Sequence, residues 1–186
     1  MKTIHIFILF IIVAGAQLFI PASMIFKQET ILETGTAFKF KTQPVDPSDP
    51  FKGKYIYLNY EVNSIASTDS SWVSGETMFL AIAKDSLGFV RATNAFRDNP
   101  KSGDYIKATV EWYDNNQNEL RFSFPFNEFY MNETKAYDAE VAHRTAQNDT
   151  IPNNTYALVY VKDGEAVLDN VFINDVPIAQ YVEYPQ

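Results

Sequence analysis

"YALVYVKDGEAVLDNVFI", residues 156–173, decides the fold. Two runs rich in Val, Tyr, Leu and Phe flank Asp163-Gly164, a dipeptide that readily takes the positive φ angles of a tight hairpin turn. The same grammar repeats outward. "TMFLAIAK" (77–84) and "FVRATNAF" (89–96) flank the turn "DSLG", and "YIKATVEWY" (105–113) and "ELRFSF" (119–124) flank the polar "DNNQN". "AFKFK" (37–41) alternates apolar and polar residues as a short strand does. "TQPVDPSDP", with Pro44, Pro47 and Pro50, reads as a loop, and Lys54 to Ser64 as a further strand. The Ser-rich connector after it is expected to fold Trp72 back onto the core. Asn174-Asp175 turns the chain into "VPIAQYV". One segment breaks the pattern: Asn132 to Asn148 has an N-cap residue in Asn132, good helix formers, and an apolar stripe of Ala136, Tyr137, Val141 and Ala142. The expected fold is mainly β, an antiparallel sandwich or barrel with that one short helix capping an edge or an open end.

Composition narrows the chemistry. There are 186 residues and no cysteine, which excludes disulfides, zinc–thiolate and iron–sulfur sites and thiol nucleophiles. All 23 acidic residues lie from Glu29 onward, whereas Lys2 and Lys27, two of the 15 basic residues, precede it. The part after Gln28 therefore carries thirteen positive and twenty-three negative side chains, a net charge of −10. Such a body repels nucleic acid and anionic lipid, and no basic stripe offsets this.

The leading segment has the opposite character. "IHIFILFIIVAGAQLFIPASMIF", Ile4 to Phe26, contains no acidic residue, Lys or Arg. As a helix it reaches roughly 35 Å, enough to cross a hydrocarbon core of about 30 Å. Residues 1–27 are therefore expected to be a membrane anchor, with residues 28–186 as the body. Lys2 before the run favours the N-terminus in the cytoplasm, a single pass through the inner membrane, and the body on the periplasmic, extracytoplasmic side. A cleaved secretory signal competes: Ala14-Gly15-Ala16 resembles a small-residue cleavage site. Cleavage there would leave "QLFIPASMIF" as a greasy new terminus, so the uncleaved anchor is preferred.

The most distinctive stretch is "FKGKYIYLNYEV", residues 51–62. In a continuous strand Tyr55, Tyr57, Asn59 and Glu61 share one face, and Ile56, Leu58, Tyr60 and Val62 the other. The second face is the expected core, where Tyr60 can bury its ring if its hydroxyl finds a partner. Gly53 permits a tight backbone entering the strand. "GKYIYLNYEV" also shares Gly, Tyr, Ile and Glu with "GDYIKATVEW", fifty residues later, at Gly53/Gly103, Tyr55/Tyr105, Ile56/Ile106 and Glu61/Glu111. The coincidence leaves open an internal duplication.

Gly53, Lys54, Tyr55, Leu58 and Tyr60 together resemble the Gly-Asp-Tyr-x-x-Leu-x-Tyr motif of the bacterial GDYXXLXY family. "SGDYIKATVEW", "FPFNEFYMNETKAYDAE" and "YVKDGEAVLDNVFIND" follow in family-like order, so the resemblance spans Ile4 to Ile173. It implies a membrane-associated protein without an assigned activity, encoded beside polytopic membrane proteins. Lys54 stands where the family has Asp, which favours a structural role for the motif over a catalytic or metal-binding one.

No catalytic set is recognisable, and no cofactor or metal is expected. Glu61 and Glu111 could act as a carboxylate pair if their strands lie side by side, which keeps an envelope enzyme open as an alternative. A small-ligand or peptide-binding β-barrel is a second alternative. Asp114, Asn116 and Asn118 begin like a calcium loop, but Glu119 and Pro125 occupy the positions of its Gly and Glu, so a solvated turn is expected. His143, three residues after Glu140, is expected at a surface or edge. "FPFNEFYM" (124–131) reads as core packing or a lid, with a docking patch as the sharper idea. The candidate binding surface is Tyr57, Glu61, Glu111, Phe126, Phe129 and Tyr130. The expected function is a membrane-anchored accessory or binding module, with a polytopic membrane protein as its partner.

Overall fold

The computed structural model describes residues 3–43, 55–131, 133–148 and 155–183. Gly53 and Lys54, the start of the motif, and Asn132, the expected N-cap, lie outside these residues. In chain order the elements are α1 (Thr3–Thr34), β1 (Thr36–Gln43), β2 (Tyr55–Tyr57), β3 (Asn59–Tyr60), β4 (Ser64–Ala66), β5 (Thr77–Lys84) and β6 (Val90–Phe96). There follow β7 (Tyr105–Asp114), β8 (Glu119–Ser123), β9 (Glu128–Tyr130), α2 (Glu133–Asn148), β10 (Thr155–Lys162), β11 (Glu165–Ile173), β12 (Val176–Pro177) and α3 (Ile178–Tyr181).

α1 is long and apolar enough to span a membrane, by length and composition. It continues past the last apolar residue of the run, Phe26, for two further turns. Those turns are tied to the body: Ile31 is buried, Thr34 Oγ1 accepts from Lys162 Nζ at 2.7 Å, and Lys27 Nζ lies 3.2 Å from Glu165. Gly35 then turns helix into strand, its N–H donating to Ile31 O at 2.8 Å. A Cβ there would meet Ile31 O at 2.5 Å and Val161 O at 3.1 Å, so the turn needs glycine. β1 begins at the next residue.

The fold is mainly β and antiparallel, as expected. One sheet has the order β12-β11-β10-β1-β3, a second β4-β8-β7-β5-β6, and β2 pairs with β9. Parallel bridges Lys39↔Phe89 and Ile106↔Gly164 stitch the two larger sheets together, giving a nearly closed barrel. The β10–β11 hairpin forms as read, with Asp163 at φ 51° and Gly164 at φ 80°. In β1 the alternation puts Phe38, Phe40 and Thr42 inward. Phe40 is the hub of the interior: its ring meets Tyr60, Phe124 and Phe126 edge-on at 5.3–5.5 Å. Each such contact contributes about 0.5–1.5 kcal/mol beyond area burial. Trp72 folds back as expected and is capped by the Arg97 guanidinium at 4.1 Å. Arg97 in turn pairs with Asp69 and Glu76. Hydrogen bonds from Ser71, then Arg97, hold the Asp69 carboxyl down at about 2.

The structure departs from the sequence reading at three points. Residues 54–64 do not form one strand. β2 pairs with β9 whereas β3 pairs with β1, so the chain changes partner at Leu58, whose N–H goes to Asn127 O at 2.7 Å. The expected faces survive the break: Ile56, Leu58 and Tyr60 are buried and Tyr57 is 46% exposed. This break also separates the two repeat-like windows, because "GDYIKATVEW" opens the unbroken β7 between β5 and β8. Finally, α2 buries Ala139, His143 and Ala146, one helical face, with Val141 and Ala142 half-buried. The side chains of Ala136 and Tyr137 lie outside the described ones. A short second body helix, α3, packs against α2, and Lys135 pairs with Glu183.

Candidate functional site

The motif strand forms one wall of a cleft of about 210 Å³. Tyr57, Leu58, Asn59 and Tyr60 line it from the broken strand, and Val62 and Asn63 from the segment that follows. The opposite wall is the β7–β8 hairpin, through Glu111, Arg121, Phe122 and Ser123, with Phe124 and Asn127 closing one end.

Local structure explains why polar groups gather here. β7 and β8 pair Val110 with Phe122 and Trp112 with Arg121, so Glu111 is an extra residue in a β-bulge. Bulges re-aim side chains and recur beside binding sites. The floor is rigid, because Leu58 and Phe122 are almost completely buried. Tyr60 OH donates to Phe126 O at 2.7 Å, which meets the expectation that its hydroxyl would find a partner. Burial, with Tyr57 close by, pushes that hydroxyl far above the usual tyrosine range, so it stays a donor at physiological pH.

The rim is less committed. Asn127 Nδ2 donates to Tyr57 OH at 3.3 Å. Arg121 Nη2 lies 3.6 Å from Glu119, and its guanidinium sits 5.2 Å from the Trp112 ring. Arg121 Nε is shut off from solvent without an acceptor. Such an occluded donor is costly unless something satisfies it.

The candidate surface residues divide. Tyr57 and Glu111 share the cleft. Glu61 does not belong to it: it lies 3.9 Å from Lys41 on β1. The Glu61–Glu111 pair needed adjacent strands, but β3 pairs with β1 in one sheet and β7 with β5 and β8 in the other. The strand pairing that would set Glu61 directly opposite Glu111 is therefore not formed. Phe126, expected at the surface, is 7% exposed and belongs to the core, stacked on Phe124 at 5.1 Å. Phe129 is half-buried against the core, and Tyr130 is 68% exposed with its hydroxyl on Glu128 at 2.5 Å. Of the aromatic run, Tyr130 and part of Phe129 are left at the surface.

His143 is a further correction. It is 4% exposed, with Nε2 3.1 Å from Thr42 Oγ1, joining α2 to β1. Burial lowers its pKa to about 4, so it is neutral at physiological pH. Asp114 forms the solvated turn expected, its Oδ1 accepting from Asn116 and Gln117 backbone N–H groups. Among the described residues no three His, Asp or Glu side chains converge to hold a metal.

Asn63, Arg121, Ser123 and Asn127 carry no mark in the sequence. Asn63 and Asn127 each stand beside the motif or its partner strand, and only the fold brings them to it. The family model for the GDYXXLXY protein matches residues 17–171 of the chain. No curated protein and no solved structure matches it.

Proposed function

The chain belongs to the GDYXXLXY family, and we propose that it is a membrane-anchored, extracytoplasmic accessory module that engages a polytopic membrane protein. The observation that carries this reading is the junction at Gly35. An apolar helix able to span a bilayer passes into β1 with no linker, and Lys27 and Thr34 are bonded to the β10–β11 hairpin. A barrel held that way is fixed in place at the membrane, which suits a part that must meet a neighbouring membrane protein in one orientation. Lys2 before the helix and the −10 charge after Gln28 support an outward-facing body.

The reading is non-catalytic. Its support is the dispersal of the carboxylates, with Glu61 beside Lys41 and Glu111 alone on its bulge. The motif lies at the far end of β1 from the tether: Tyr60 pairs with Thr42, about 20 Å of strand from Thr36.

Two measurements test it. Protease added to intact spheroplasts is expected to digest the body, and full protection would place it in the cytoplasm. A photo-crosslinker at exposed Tyr130 in native membranes is expected to capture an integral membrane protein. Recovery of the free chain alone under mild extraction would defeat the partner.

A further inference from the structure

The cleft beside the motif strand has the chemistry of a binding site, and we infer that it takes one ring of a neutral, hydroxyl-rich carbohydrate. The inference goes beyond the tethered-module reading and does not depend on which side of the membrane the body occupies.

The walls argue for it by elimination. Glu111 on the bulge and Arg121 on β8 both line the cleft. A free anion would meet the carboxylate and the acidic body; a free cation would meet the guanidinium. An apolar ligand would strip water from Asn59, Asn63, Ser123 and Asn127 without replacing their hydrogen bonds. What remains is a neutral ligand carrying donors and acceptors together.

A peptide backbone and a sugar are the two polymer-borne classes of this kind. A peptide docks along a sheet edge through free backbone groups. Here two of those groups are already occupied: Leu58 N–H is bonded to Asn127 O at 2.7 Å, and Phe122 N–H to Asn63 O at 3.0 Å. That favours recognition by side chains, and the side chains match a sugar. A carboxylate accepts from adjacent hydroxyls, a guanidinium donates to ring or hydroxyl oxygens, and Asn and Ser side chains do both. Among the described residues, the terminal nitrogens of Arg121 are held only by a 3.6 Å contact to Glu119, which leaves them donors for a ligand. Tyr57, half-exposed, brings an aromatic ring to the cleft lining. At about 210 Å³ the cleft is below the roughly 300–1,000 Å³ of drug-sized pockets, consistent with a single ring.

The test uses the full chain in detergent micelles. Glucose, galactose and N-acetylglucosamine are titrated separately, followed by saturation-transfer NMR and calorimetry, with tri-alanine and sodium acetate as competitors. At least one sugar is expected to saturate below ~100 mM, within the weak range of single-ring recognition. Glu111→Gln and Asn63→Ala should each weaken it at least tenfold while leaving the thermal midpoint unchanged. Three results would overturn the inference: no saturation by any of the sugars, saturation indifferent to both substitutions, or displacement by tri-alanine or acetate at lower concentration than the sugar itself. A failure here leaves the protease and crosslinking outcomes untouched, and their failure leaves this one standing.

Discussion

Lys27, the first charged residue after the apolar run, lies 3.2 Å from Glu165, the first residue after the hairpin turn. The same Glu165 oxygen accepts from Lys107 Nζ at 2.7 Å, so helix, hairpin and β7 meet at one carboxylate. The hydrogen bond from Lys107, then that from Lys27, holds Glu165 below the usual carboxylate range. For a spanning α1, Lys27 marks the exit from the hydrocarbon. Glu165 and the turn at Asp163-Gly164 then sit at the level of the lipid headgroups.

That placement is measurable because the chain has no native cysteine to remove. Spin labels at single cysteines replacing Asp163 and, separately, Asn116 are compared in nanodiscs containing nickel-chelating lipid. β7 carries the chain about 25 Å of strand from Lys107 towards the Asn116 turn. Relaxation by the lipid-bound nickel should be markedly stronger at 163 than at 116. Equal or reversed relaxation would lift the hairpin off the bilayer surface.

His143 predicts an acid-sensitive body. Its folded-state pKa is about 4, against 6.5 for the ordinary side chain. Between those values the unfolded chain binds the extra proton, so stability falls as pH drops through 6.5, and the loss is complete below about 4. The full shift corresponds to about 3 kcal/mol. Urea unfolding at pH 7.5 and pH 4.5 should show most of that difference in the natural chain and a smaller one in His143→Gln. Parallel pH profiles for the two proteins would show that the acid sensitivity comes from elsewhere.

The pattern of hairpins is legible because each relies on local chemistry. Asp163-Gly164 and the Asp114 turn are decided within a few residues, and alternation marks Ile56, Leu58 and Tyr60 as core. The failures are all long-range. Nothing within residues 54–64 says that β2 will pair with β9 and β3 with β1. His143 looks polar on a marginal helix, yet it is buried because Thr42, 101 residues away, offers it a hydrogen bond. Phe126 stands among the candidate surface residues, within a run that also reads as core packing, because a run of aromatics gives no sign of which members Phe40 will collect. The cleft is the extreme case, since Glu111 owes its place to a bulge whose register depends on β8.

Gly35 should tolerate no side chain. A Cβ at this position would stand 2.5 Å from Ile31 O, so Gly35→Ala forces the helix end off the β10–β11 hairpin or strains β1. Crowding of this kind costs about 1–3 kcal/mol. Thermal unfolding in detergent should show a lowered midpoint, whereas Gly15→Ala, on a helix face with nothing within 4 Å, should not. Matching midpoints for the two variants would mean the junction relaxes without cost.

The tyrosines of the motif predict different outcomes from the same chemical change. Tyr60 is 4% exposed, donates to Phe126 O at 2.7 Å, and packs on Phe40, Phe124 and Phe126. Tyr60→Phe keeps the ring but leaves the carbonyl of Phe126 without that donor, a loss of about 1–2 kcal/mol. Tyr60→Ala also removes the ring from the centre of the core and should cost about 3–5 kcal/mol. Tyr57 is 46% exposed and its hydroxyl only accepts from Asn127 at 3.3 Å, so Tyr57→Phe should stay within about 0.5 kcal/mol. Denaturant midpoints for the three variants decide the matter. An order other than Tyr57→Phe, Tyr60→Phe, Tyr60→Ala in increasing severity would mean that the motif does not hold the barrel through its last tyrosine, and that the interior is organised around some other contact of Phe40.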